Sequence, residues 1–129
     1  MKKSEIFDVV IEKVAEVCEV SVERIISPSR VQSVVEARVL LVQYLRRIGL
    51  SNDNIAEILM RRKAGDPTME ISDNELKQKA KTIDSIFNSY SMRCLQSYSF
   101  CLMSQELAKF CRDEYGERHE IWMKKIPSK

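Results

Sequence analysis

Glycine and proline are scarce in this chain, with three of each in 129 residues. Short strands joined by hairpins consume both residue types, so an all-β architecture is excluded and helices become the default. Histidine is scarcer still: His119 stands alone. The four cysteines, Cys18, Cys94, Cys101 and Cys111, include no C-x-x-C pair and lie away from His119. Zinc sites draw on closely spaced ligands, so no metal and no other cofactor is expected. The cysteines read instead as reduced packing thiols, with Cys94 and Cys101 at a spacing that suits one helix face.

No run approaches the roughly 18 uncharged apolar residues of a membrane span. The opening stretch MKKSEIFDVVIEK carries charges too frequently for a secretory signal, so a cytoplasmic protein with no membrane partner is expected. No G-x-x-x-x-G-K-S/T stretch is present to cradle a nucleotide's phosphates, and no nucleotide is expected.

What the chain does contain is 44% apolar residues, enough for a core. Its net charge of +2 is slight, but the cations are grouped. Residues 24–47 hold Arg24, Arg30, Arg38, Arg46 and Arg47 against one acid, Glu36. Arg61, Arg62 and Lys63 form a second group, and Lys77, Lys79 and Lys81 a third. A surface that meets a phosphate backbone needs such local excess, because each contact releases condensed counterions. Solvated helix faces carry the same pattern.

Apolar spacing divides the chain into helices. Phe7, Val10, Ile11, Val14 and Val17 form one stripe, predicting a first helix from after Ser4 to near Cys18. Ser21 is a candidate cap for a short helix through Ile25 and Ile26, stopped by Pro28. Ser33 and Glu36 have capping-box spacing ahead of a long core helix closed by Gly49. Ser51 caps a fourth helix with Ile55, Ile58 and Leu59, and residues 61–71 are expected to form a loop around Gly65 and Pro67. Ser72 and Glu75 repeat the capping box, opening a fifth helix at Asp73 whose apolar stripe is Leu76, Ala80, Ile83 and Phe87. Lys77, Lys81 and Asn74 fall on its opposite face. After a break at residues 88–91, one further helix is expected to reach Tyr115, presenting Leu95, Tyr98, Leu102 and Phe110 to a core or a partner and ending at Gly116.

Two helices joined by a turn, the second opening with polar and basic residues, have the outline of a helix-turn-helix. The stretch VAEVCEVSVERIISPSR followed by VVEARVLLVQYLRRIGLSNDNIAEIL resembles the C-terminal DNA-binding domain of the bacterial replication initiator DnaA. Val14-Ala15, Ile25-Ile26, Ser29-Arg30, Ala37-Arg38 and Ile55-Ala56 carry the resemblance, which covers roughly residues 6–87. It implies an all-α, Trp-repressor-like helix-turn-helix bundle of five to six helices at residues 1–88, with residues 89–129 as a helical extension and basic tail. It also implies a basic loop that enters the minor groove, where Arg30 falls, and a recognition helix with Lys81 late in it. The family's Asp-His-Thr-Thr type motif is absent. Ser72, Asp73, Asn74 and Glu75 occupy its positions in one alignment, and Pro67 replaces the histidine in another. Sequence specificity is therefore expected to be altered or lost, and Asp73 and Glu75 oppose phosphate.

The resulting expectation is a double-stranded DNA-binding module that regulates replication or transcription, not an enzyme. Its contact residues are Arg30 first, then Arg61, Arg62 and Lys63 in the loop, then Asn74, Lys77 and Lys81. Arg38 ranks lower because a carboxylate on the long helix is its expected partner. His119 in EYGERHEIW has no positioned acid-base partner, and Cys111, flanked by Phe110 and Leu107, reads as packing. The alternative function is a protein-binding helical module. Residues 92–111 carry more apolar surface than one helix face needs, either to cover the bundle or to pair with a second copy in a homodimer.

Overall fold

The protein is described by a computed structural model covering residues 2–115. Two expected features, His119 and the helix end at Gly116, lie outside the described residues, as does the tail that follows. Seven helices and no strand are found among the described residues: α1 (Lys3–Cys18), α2 (Val22–Ile26), α3 (Gln32–Ile48), α4 (Asn52–Ala64), α5 (Asp73–Asn88), α6 (Tyr90–Gln96) and α7 (Tyr98–Glu114). None is long and apolar enough to cross a membrane. The all-helical bundle is as expected.

The centre of the bundle is α3. Val34, Ala37, Leu40, Leu41, Tyr44, Leu45 and Ile48 are buried, but so are Gln43 and Arg47, so the helix is enclosed on nearly every side. It touches all six other helices. From one flank α1 contributes Ile6, Phe7, Val10, Ile11 and Val14 at spacings of helical period. Phe100, Leu107 and Cys111 of α7 enter this same core.

Helix ends follow local chemistry. Ser21 Oγ accepts the Arg24 amide at 3.2 Å, and Ser51 and Asn54 cap each other reciprocally at 3.1 Å. Ser72 Oγ accepts the Glu75 amide at 3.2 Å, closing the expected box. Gly49 (φ 129°) and Gly65 (φ 71°) terminate α3 and α4 in backbone regions that glycine adopts without steric cost.

Three elements differ from expectation. The Ser33–Glu36 box does not form: α3 begins at Gln32 with Val31 as its cap, so Ser33 lies inside the first turn. Glu36 is buried and accepts from Gln32 Nε2 at 3.3 Å. Arg61, Arg62 and Lys63 form the last turn of α4 instead of a loop, because the helix runs on to its glycine cap and its dipole favours cations there. The single helix expected across residues 92–115 is two, broken at Ser97. That residue is extended (φ −140°, ψ 115°), and its hydroxyl accepts the Phe100 amide at 3.2 Å.

The break resets the buried face. Phe100, Ser104, Leu107 and Cys111 point inward, whereas Leu95 and Tyr98 are 85% and 80% exposed. Ser104 belongs inside because Tyr44 Oη donates to its carbonyl at 2.7 Å, and its hydroxyl also meets both Tyr44 and Tyr90. Arg47 lies between the rings of Tyr44 and Tyr90, with centroids 4.8 and 5.1 Å from its guanidinium carbon. Cys94 and Cys101 sit on α6 and α7 rather than on one helix, yet remain adjacent: Cys101 Sγ donates to the Cys94 carbonyl at 2.9 Å.

Candidate nucleic-acid interface

The connection between α2 and α3, residues 27–31, is short and rich in serine. Ser27 Oγ accepts the Ser29 amide, and Ser29 Oγ accepts the Val31 amide, each at 3.3 Å. The dominant restraint comes from Arg38, nearly two turns into α3. Its Nε donates to the Ile25 carbonyl at 2.8 Å and its Nη1 to the Ser29 carbonyl at 2.6 Å. Nη2 reaches the carbonyls of Ser27 and Arg24. The expected carboxylate partner is therefore not used. The guanidinium satisfies carbonyls orphaned at the end of α2, a task its planar fork of donors suits. Burial, and secondly the positive charge of Arg30, lower the Arg38 pKa.

Arg30 is exposed at the apex of this clamped loop. It borders a groove formed by the loop, α3, the last turn of α4 and the inner side of α5, which Lys63, Lys79 and Arg93 also line. The seven sequence-predicted contact residues thus separate into three places. Arg30 and Lys63 share the groove.

Arg61 and Arg62 line a different depression, beside the start of α1. There Arg61 pairs with Glu57 at 3.3 Å and donates through Nε to the Met69 carbonyl at 3.0 Å. Arg62 pairs with Asp8, and its guanidinium carbon lies 5.4 Å from the centroid of the Phe7 ring. Arg61 thus holds the loop that follows α4, and Arg62 joins α4 to α1. Asn74, Lys77 and Lys81 are exposed on α5, whose buried residue is Ile83.

Lys79, named only as one of a cation group, and Arg93 were not among the expected contact residues. A signal for Lys79 was present: it lies four and seven residues before Ile83 and Ile86, hence on the inward side of α5. Arg93 had no such signal, because its place depends on the turn of α6 against α5.

The loop between α4 and α5 is ordered by its own contacts. Asp66 Oδ1 accepts from the Thr68 amide at 3.0 Å and from its hydroxyl at 2.8 Å. These bonds hold the Asp66 carboxyl below its ordinary pKa. At the other end of α5, Arg46 stacks 4.3 Å from the Phe87 ring centroid and donates to Asn52 Oδ1 at 2.5 Å, tying α3, α4 and α5 together.

Burial pushes Cys18 and Cys111 each up to about 12, and all four cysteines are free. No protein-family model matches the chain, and comparison with curated proteins and with solved structures finds no match.

Proposed function

We propose that the chain is a double-stranded DNA-binding module of the helix-turn-helix kind, related in architecture to the C-terminal domain of the DnaA initiator, with altered sequence preference. The observation that carries this reading is Arg30, exposed on a loop whose backbone is clamped by Arg38 and set beside Lys63 and Lys79. A pre-ordered cationic loop loses little conformational entropy when it meets phosphate. Exposed Lys77 and Lys81 on α5 add positive charge away from the groove, and Asn74 in the first turn of α5 offers an adenine-reading amide.

Asp73 and Glu75 occupy that first turn too, and their charge opposes close approach of phosphate. Binding is therefore dominated by backbone contacts, with modest discrimination among sequences. A role in regulating replication or transcription suits such a module.

Fluorescence anisotropy with a mixed-sequence duplex, at about 50 and 200 mM salt, tests the reading. Affinity is expected to fall steeply with salt, and Arg30→Ala to weaken binding by about 1 kcal/mol at every sequence. Absence of binding at the lower salt would sink it.

A second reading, self-association, is favoured by a separate observation. Met92, Leu95, Tyr98 and Leu102 leave large apolar side chains exposed where α6 meets α7. Pairing two copies there covers this surface. Sedimentation velocity is expected to show a concentration-dependent dimer that Leu95→Glu, Tyr98→Glu abolishes; a monomer at all concentrations eliminates this reading.

A further inference from the structure

The groove beside Arg30 has a volume of about 830 Å³, within the size range of small-molecule sites. Its chemistry is divided in two. Arg30, Arg38, Lys63, Lys79 and Arg93 line it, and among the described residues no aspartate or glutamate does. Between them the lining is apolar, with Ile26, Val35, Leu59, Met60, Met69 and Ile86 half-buried along it. Among the described residues no aromatic ring lines it to stack a base or a ring system, and no asparagine or glutamine to read one.

Cations gathered without a counter-charge raise the local potential, and the molecule registers this. Burial lowers the Lys79 pKa, and Lys63 and Arg38 lower it further. Arg93 Nε is buried with no hydrogen-bond partner among the described residues. The crowding of charge at Lys79 is relieved by an anion, and the apolar lining suits one whose body carries no polar groups. A polar anion leaves the aliphatic surface wet, an aliphatic amine is repelled, and a nucleotide finds no stacking partner.

We propose that this groove binds an aliphatic chain ending in a carboxylate, a fatty-acid-type anion, with its head against Lys63 and Lys79 and its chain along the valine, leucine and isoleucine surface. The assignment does not depend on DNA contact, and its test uses no DNA.

Isothermal titration of the full chain with dodecanoate, kept below its micelle concentration, is the experiment, beside hexanoate and dodecyltrimethylammonium. Saturable binding of one dodecanoate per chain is expected, with hexanoate weaker by about tenfold or more and the ammonium compound not bound. Lys63→Gln, Lys79→Gln is expected to weaken dodecanoate by about tenfold, whereas Lys109→Gln on α7 leaves it unchanged. Lys63 is exposed and Lys79 half-buried, and circular dichroism reports whether the fold is kept. Ser85→Trp, which places a bulky ring in the groove from the exposed side of α5, is expected to block binding by a route that leaves every cation in place. No binding of dodecanoate, equal binding of the ammonium compound, or undiminished binding by both groove variants overturns the proposal.

Discussion

Arg38 shows how much one side chain can decide. Its guanidinium gathers carbonyls from both the end of α2 and the following loop, so its loss strands several acceptors at once. Arg38→Met keeps the aliphatic stem but none of the donors. It is expected to lower stability by about 2–3 kcal/mol, read as a shifted midpoint in urea unfolding without a change of slope. Arg38→Lys is expected to recover little of this, since a single ammonium cannot span carbonyls that a planar fork reaches together. From sequence this role was hidden. The residue stands among other arginines, and a backbone carbonyl leaves no trace in residue type, whereas a carboxylate partner does.

At the scale of elements, the legible features were those encoded within a few residues. Ser21, Ser51 and Ser72 each declare a helix start, and Gly49 declares an end, because cap and capped amide lie three or four positions apart. The α6–α7 boundary was not legible for the opposite reason. Leu95, Tyr98 and Leu102 form an apolar series at helical spacing that competes with Phe100, Leu107 and Cys111, and the true inward series is interrupted by Ser104. Only Tyr44 and Tyr90, from other helices, make a buried serine favourable there.

Ser97 then supplies the local means for the break. Ser97→Ala removes the acceptor for the Phe100 amide and is expected to cost about 1 kcal/mol, measured as a lowered melting temperature. A similar limit hid the last turn of α4, where three successive cations read as loop until Gly65 was seen to cap the helix beyond them.

Over the whole molecule, the cationic groove draws on residues 30, 38, 63, 79 and 93, one from a loop and four from different helices. No window of sequence contains that arrangement, so its parts were visible as charge clusters while their meeting was not. Burial of thiols is likewise a property of the assembled bundle, and it ties stability to pH. Cys18 and Cys111 keep their protons up to about 12 when folded, whereas an ordinary thiol ionises near 9.

Above pH 9 the unfolded chain therefore binds fewer protons than the folded one, and stability falls as pH rises through that window. Melting temperature is expected to be insensitive to these groups below pH 9 and to decline between pH 9 and 12. Cys18→Ala, Cys111→Ala is expected to flatten that decline even if it lowers the starting value. An unchanged slope would locate the titrating groups elsewhere.

The bond from Tyr44 to Ser104 joins positions 60 residues apart, across nearly half the chain. During synthesis, the central helix leaves the ribosome well before the residues that close over it. Until Phe100, Ser104 and Leu107 emerge, the tyrosine hydroxyl lacks its acceptor and one flank of the nascent core stands open to water. A chain built in this order gains its final cooperativity late, from its last described helix, and has an interval of vulnerability to chaperones and proteases that no isolated, finished molecule reveals.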